Sequence, residues 1–182
     1  LAVMNPTDIV EFNPVDTYTL GGQIGHASDA GGIWLNVLNG DQDGKLDEGS
    51  STPGSASGGN LFQVDLTTGW NLGEKFYLGL NTSMQSLSTG EMIDTAGEIQ
   101  DIDGDATSFF GVAVYPKVTL SETFALGLRG EYFGLSKGHF SDEDGPWLFA
   151  RDDEGNGTVT SITLSGNYKV GGLTLIPELR ID

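Results

Sequence analysis

Along most of the chain, apolar and polar residues alternate one by one. Phe124, Leu126, Leu128 and Tyr132 alternate with Ala125, Gly127, Arg129 and Glu131. Ile162, Leu164, Tyr168 and Val170 alternate with Thr163, Ser165, Asn167 and Lys169. Leu173, Leu175, Leu179 and Ile181 alternate with Thr174, Glu178, Arg180 and Asp182. Successive side chains on a strand point to opposite faces, so a period of two predicts strands. These strands build a sheet with one apolar face and one face of Arg, Glu, Lys and Asn. A half-buried sheet of a soluble protein alternates in the same way. Run length and connection length separate the two cases. The runs are about ten residues long, against about five or six for an ordinary strand and about nine to eleven for a membrane-crossing one. The connections alternate short and long, as in outer-membrane barrels.

The pattern predicts further strands over Tyr18–His26, Gly32–Asn39, Asn60–Trp70, Phe76–Leu87 and Ser108–Val118. Residues 1–16, with Pro6 and Pro14, read as a loop with a short extended piece from Asp8 to Phe12. Tight turns fall at Ser28–Gly31, Asn71–Lys75, Leu120–Glu122 and Lys169–Gly172, where glycine or a polar residue is available. Long loops fall at residues 40–59, 88–106 and 137–157. No stretch sustains a 3.6-residue period, so helix is not expected. The predicted fold is all-β: an antiparallel up-and-down transmembrane β-barrel, one domain over residues 1–182, with about eight strands visible as part of a larger barrel. A meander puts all three long loops at one end, which would face the outside of the cell. Tyr18, Trp70, Phe76, Phe124, Tyr132 and Tyr168 lie near strand ends on the apolar face, where an interfacial girdle would sit. Core aromatics at the ends of a soluble sheet would look the same.

Charge sharpens this picture. The 182 residues hold 8 Lys and Arg against 26 Asp and Glu, a formal net charge of −18. Nearly all the acid lies in the three long loops. Such a balance excludes a nucleic-acid partner, which needs basic neutralisation; it suits cations or a well-solvated surface. There is no cysteine, hence no disulfide and no thiolate metal site. No run of about 18 apolar residues could form a membrane-spanning helix. Residues 1–16 carry Asp8, Glu11 and two prolines, unlike a secretory leader, so the expectation is a mature chain or a portion of one.

Three sets of residues resemble a known family. They are the run from Trp34 to Gly40, the run Tyr115-Pro116-Lys117 followed by Phe124 to Phe133, and Leu164 to Lys169 followed by Pro177 to Asp182. In order, they resemble the OmpL-like (porin-2) beta-barrel porins of Bacteroidota-type outer membranes. The resemblance covers roughly the last two-thirds of the chain, and its weight lies in the order of short motifs. It implies an outer-membrane pore and more strands than are visible here.

Several residues are candidates for chemistry. Lys117, Arg129, Glu131, Lys169, Glu178 and Arg180 share the polar face. A Lys or Arg facing lipid at the midplane costs about 2–4 kcal/mol, so these residues are expected to line a lumen. They could select solutes by charge, or form a self-neutralising ladder that holds register. Asn39, Asp41, Asp43 and Asp47 follow the opening positions of a calcium loop, with Gly44 at the sharp turn. Ser50 stands where the closing Glu would be, and a solvated acidic loop accounts for the same residues. Asp101-x-Asp103-Gly104-Asp105 is a weaker echo. Pro146, Trp147 and Phe149 are the most apolar part of a long loop, a candidate constriction or partner contact. His26 and His139 are far apart, and no nucleophile, metalloprotease or phosphate-loop motif occurs, so no enzyme is expected.

The functional expectation is a porin in the bacterial outer membrane. Small hydrophilic solutes or ions would diffuse passively through a charged lumen, with lipid outside and no cofactor required beyond a candidate calcium ion. A homo-oligomer or an outer-face protein partner is compatible with this. The competing readings are a soluble or surface-exposed β-sandwich that binds calcium or glycan, and a closed structural or adhesive barrel.

Overall fold

The computed structural model describes residues 1–6, 17–41, 46, 53–104, 106–136 and 152–182. The described residues form strands and no helix. In chain order the strands are β1 (Ala2–Met4), β2 (Thr19–Ser28), β3 (Gly31–Asp41), β4 (Asn60–Leu72), β5 (Phe76–Leu87), β6 (Glu91–Ile93), β7 (Ile99–Asp101), β8 (Thr107–Thr119), β9 (Phe124–Ser136), β10 (Gly157–Val170), β11 (Leu173–Leu175) and β12 (Glu178–Ile181). Ten of them make one antiparallel sheet in the order β1-β2-β3-β4-β5-β8-β9-β10-β11, with β12 also on β10. β6 and β7 make a separate hairpin.

β11 and β12 are one strand with a break. Tyr168 faces Leu175 and Ile162 faces Ile181, which is a single continuous register. The break falls at Pro177, which has no N–H to give to the ladder. Gly166 N–H still donates to the Pro177 carbonyl at 3.0 Å. Pro116 does the same inside β8. The β8–β9 ladder runs to Val114–Gly130 and resumes at Lys117–Gly127, skipping Tyr115 and Pro116.

The meander predicted from the sequence is present, with nine strand positions rather than about eight. The extra one is β1, whose three residues are too few to show alternation. The predicted extended piece at Asp8–Phe12 lies outside the described residues. The connection at residues 88–106 was expected to be plain loop, yet it carries β6 and β7. The sheet is open: β1 and the β11–β12 strand lie at opposite edges and do not pair with each other among the described residues.

Among the strands, each touches only its neighbours in the sheet, and β6 touches no strand but β7. No second layer of strands covers either face among the described residues. The apolar face is the open one: Ile24 is 72% exposed, Leu128 45%, Leu164 48% and Leu175 48%. The polar face is sheltered along β10: Ser161 is 4% exposed and Thr163 6%, although they neighbour Ile162 and Leu164. This inverts the arrangement of a soluble sheet, which packs its apolar face inward.

On the open face the aromatics recur at fixed spacing. Phe62 and Trp70 on β4, and Phe124 and Tyr132 on β9, are both eight residues apart. At about 3.3 Å per residue that is about 26 Å of strand. A barrel tilt of about 35–45° shortens it to about 20 Å, close to the apolar band of about 25 Å in outer-membrane barrels. Phe124 packs edge-on against Tyr168 at 6.5 Å and Phe110 against Tyr132 at 6.4 Å, so neighbouring strands continue both rows.

Glycines on the sheltered face make room for rings. A Cβ at Gly32 would stand 2.9 Å from Trp34 Cζ2, and one at Gly69 would stand 2.8 Å from Tyr77 Cζ. A rigid ring seated on glycine cannot accept a methyl beneath it without moving. Gly32→Ala is therefore expected to destabilise the folded chain by about 1–3 kcal/mol. Gly130→Ala, which meets nothing within 4 Å, should stay within about 0.5 kcal/mol. Urea unfolding in detergent micelles, followed by strand circular dichroism, measures both.

Candidate functional site

The polar face is built by register. Gln23 faces Asn36, Asn36 faces Asp65, and Asp65 faces Ser83. One step along, Gly25, Trp34, Thr67, Asn81, Ala113, Glu131 and Ser161 form the next row across seven strands. Residues directly opposite on neighbouring strands lie about 4.5–5.5 Å apart. A polar residue at alternate positions of each strand therefore becomes a connected wall.

Asp65 is the hub of the β2–β5 half. Its carboxylate accepts hydrogen bonds from Asn36 Nδ2 at 2.8 Å, Ser83 Oγ at 2.7 Å, Asn81 Nδ2 at 3.0 Å and Thr67 Oγ1 at 3.2 Å. Gln23 Nε2 extends the chain by donating to Asn36 Oδ1 at 2.6 Å, and Asn81 Nδ2 also donates to Thr67 Oγ1 at 2.9 Å. Four donors around one carboxylate satisfy its lone pairs without a cation.

The β9–β12 half is ionic. Arg129 pairs with Glu131 through Nη2 and Oε1. Arg180 Nη1 lies 3.4 Å from Glu131 Oε2, and Arg180 Nε donates to Asp182 Oδ1 at 2.7 Å. Ser161 Oγ donates to Glu131 Oε2 at 3.0 Å. The Arg129 guanidinium stacks over the Tyr115 ring, 5.6 Å from its centroid, and Lys117 Nζ lies 5.3 Å from the centroid of Tyr77. Both contacts are cation–π geometry.

Of the six charged residues expected on this wall, the structure brings Arg129, Glu131 and Arg180 into one cluster. Lys117 sits apart on Tyr77. Lys169, opposite Thr174, is beside the β10–β11 turn, and Glu178 is opposite Ser165. The Asp65 hub is absent from that set. The alternation shows it facing inward, but only the register of β3, β4 and β5 puts its four donors around it.

Two of the long connections pack together at their end of the sheet. Gly54 N–H donates to Ile93 O at 2.8 Å, Ile93 N–H to Ser55 O at 2.8 Å, and Ser57 N–H to Glu91 O at 2.9 Å. Residues 54–57 thus add to the β6–β7 hairpin, and Ile93 at the join is 1% exposed. Ile102 and Gly58 then enclose a cavity of about 250 Å³ with Leu87, Thr107 and Phe109, which belong to the polar-face rows. This packed loop leans over the sheltered face. Pro146, Trp147 and Phe149, the expected constriction or partner contact, lie outside the described residues.

Two loop turns share one design. Asp94 accepts from the Ala96 and Glu98 N–H groups at 2.8 and 2.9 Å, with Gly97 at φ 86°. Asp152 accepts from the Glu154 and Asn156 N–H groups at 3.0 and 2.8 Å, with Gly155 at φ 80°. Glycine adopts this left-handed backbone without strain. The hydrogen bonds from Asn156 backbone and side chain, together with that from Glu154, hold the Asp152 carboxyl below its usual range.

Of the candidate calcium residues, Asn39 and Asp41 are the final residues of β3, facing Phe62 and Asn60 across the ladder. Asp43 and Asp47 lie outside the described residues, as does Asp105. Among the described residues no group of three or more His, Asp or Glu could hold a metal. His26 is exposed on β2, opposite Ile33; His139 is outside the described residues.

Among the described residues the chain is a single-layer meander of long antiparallel strands with its apolar face open. A model of the family described as putative beta-barrel porin-2, OmpL-like, matches residues 1–182, the whole chain. The chain belongs to this OmpL-like porin family. No curated protein and no solved structure matches it. Membership in the OmpL-like porins agrees with the all-β meander and with the exposed apolar face.

Asp65→Ala in this OmpL-like porin strands four donors. The expected cost is about 1–3 kcal/mol in chemical unfolding, and Asp65→Asn, which keeps one acceptor oxygen, should lose less. Because the folded Asp152 is more acidic than the unfolded group, its contribution is present above the ordinary carboxylate range and is lost as pH falls through the folded value. Amide hydrogen exchange at Glu154 and Asn156 should therefore speed up on acidification beyond the intrinsic pH effect. Asp152→Ala should abolish that extra dependence.

Proposed function

We propose that the chain forms the wall of an outer-membrane pore through which small hydrophilic solutes and ions diffuse passively. The observation that carries this reading is the inversion of the sheet. Its apolar side chains are open with no layer of strands over them, and the buried Ser161 and Thr163 lie on the opposite, polar face. Lipid is the solvent that satisfies such a surface, and a barrel is the form in which strands cross it. The edges β1 and β11–β12 are then paired in the membrane. Residues 40–59, 88–106 and 137–157 face the outside of the cell, where their acid attracts cations and repels anions at the mouth.

The polar wall faces water in this reading. Its ion pairs alternate in sign, so Arg129, Glu131, Arg180 and Asp182 hold register while lining the path. The mechanism needs no covalent chemistry and no cofactor. A soluble β-sandwich is less well supported, because its apolar face would need a second layer. A closed structural or adhesive barrel stays distinct by its lack of conductance.

Purified chain reconstituted in planar bilayers should carry KCl current, and liposomes containing it should swell in small neutral solutes. Arg129→Ala with Arg180→Ala leaves Glu131 and Asp182 uncompensated and should raise cation preference in reversal-potential measurements. An unchanged cation-to-anion ratio would reject the role of these residues in selectivity. A chain that extracts from membranes in buffer without detergent would reject the membrane reading itself.

A further inference from the structure

We propose that the hollow between Trp34 and Tyr77 on the polar face binds uncharged sugars, with a pyranose ring stacked on Trp34. This rests on the reading of that face as the lumen of a channel, and it names the class of solute the wall recognises.

The two rings frame a floor without side chains. Gly32, Gly69 and Gly79 lie side by side on β3, β4 and β5. Trp34 lies against the first: a Cβ at Gly32 would stand 2.9 Å from Cζ2, and one at Gly25 would stand 2.8 Å from Nε1. Tyr77 reaches across the other two, within 2.8 Å of a Cβ at Gly69 and 3.2 Å of one at Gly79. Each ring therefore lies close against glycine backbone and is half-buried. The cavity beside them is about 340 Å³ and is bordered by Asp29, Trp34, Thr67, Asn71 and Tyr77. Small-molecule sites range over about 300–1,000 Å³ and pair aromatic surface with a few placed polar groups.

The chemistry selects neutral polyols. A flat indole face suits the C–H face of a pyranose, because such a ring presents hydrogens on one side and hydroxyls at its rim. Asn71 offers an amide donor and acceptor, Thr67 a hydroxyl oxygen that can accept once more while its proton goes to Asp65, and Asp29 a carboxylate that accepts from sugar hydroxyls. The nearby cations are already engaged. Lys117 lies over Tyr77, and Arg129 is shared between Tyr115 and Glu131. The Asp65 hub above the hollow is closed by its four donors. Lys117 keeps its charge over Tyr77, so discrimination against anions in the hollow rests on Asp29, which borders it and repels them.

Fluorescence titration of the full chain in detergent tests this. Trp70→Phe with Trp147→Phe leaves Trp34 as the sole tryptophan of the three. Glucose and maltotriose should each give a saturable change, and glucuronate should bind at least tenfold more weakly. By calorimetry on the unmodified background, Trp34→Leu and Asn71→Ala should each weaken maltotriose at least tenfold, while Trp34→Phe keeps most of the affinity. Asn71→Ala carries the test if Trp34→Leu fails to regain strand circular dichroism. A chain that conducts KCl but shows no saturable response to either sugar overturns the proposal and leaves the channel reading intact. Folded Trp34→Leu and Asn71→Ala variants that both bind maltotriose unchanged also overturn it. Saturable sugar binding by a chain that carries no current keeps the sugar site and removes the channel.

Discussion

Everything in this structure depends on which solvent each face of one sheet meets. The chain places Leu, Ile, Val and Phe on one side of every long strand and Asn, Asp, Ser, Thr, Arg and Glu on the other. A single sheet in water would bury the first set. Here the first set is open and the second is drawn together by hydrogen bonds and ion pairs. At about 25 cal/mol per Å² of apolar surface, the exposed row from Ile24 to Leu179 would be costly in water, whereas lipid tails meet it without penalty. Backbone groups are satisfied strand to strand, the condition for any segment inside a bilayer.

With the outside fixed in this way, the inside does the work of specifying register. A one-residue slip would send every charged side chain into the apolar face. Asp65 ties β3, β4 and β5 with four hydrogen bonds, and Glu131 ties β9, β10 and β12 through Arg129, Ser161 and Arg180. On β3, β4 and β5, toward the short-turn end from the Asp65 cluster, the wall is glycine and aromatic ring. Gly32, Gly69 and Gly79 leave the floor bare, and Trp34, Tyr77 and Tyr115 lie across it. Pro116 and Pro177 each open the ladder over two residues near the short-turn end without disturbing register. The result is a surface fixed in register and mixed in chemistry, as the proposed lumen requires.

Much of this was legible in the sequence. Period-two alternation in Leu126–Leu128 and Ile162–Leu164 identified strands and assigned their faces, and the meander followed from the alternating connections. That Arg129, Glu131 and Arg180 share one polar face followed from the same alternation. What was not legible was pairing between strands. Asp65 reads as one polar residue among several until register brings Asn36, Asn81 and Ser83 to it. Trp34 reads as an ordinary inward aromatic until Gly25 and Gly32 are seen beneath it. β1 is too short to show a period. The β6–β7 hairpin hides in an acidic loop, although Asp94-Thr95-Ala96-Gly97 and Asp152-Asp153-Glu154-Gly155 share a turn pattern that could have marked it. Candidate calcium residues fail to resolve for a different reason: Asn39 and Asp41 continue a strand, and their partners lie outside the described residues.

The most direct test of the account is quenching of single labels along one strand in lipid. The chain has no cysteine, so a fluorophore can be placed at one engineered thiol at a time. Labels at positions 160, 162, 164 and 166 of β10 should be quenched by bromine-bearing lipid tails. Labels at 161, 163 and 165 should instead be quenched by a water-soluble agent. A strand in which both sets respond alike, or in which the label at position 164 is shielded from lipid, would contradict the claim that the apolar face meets the membrane.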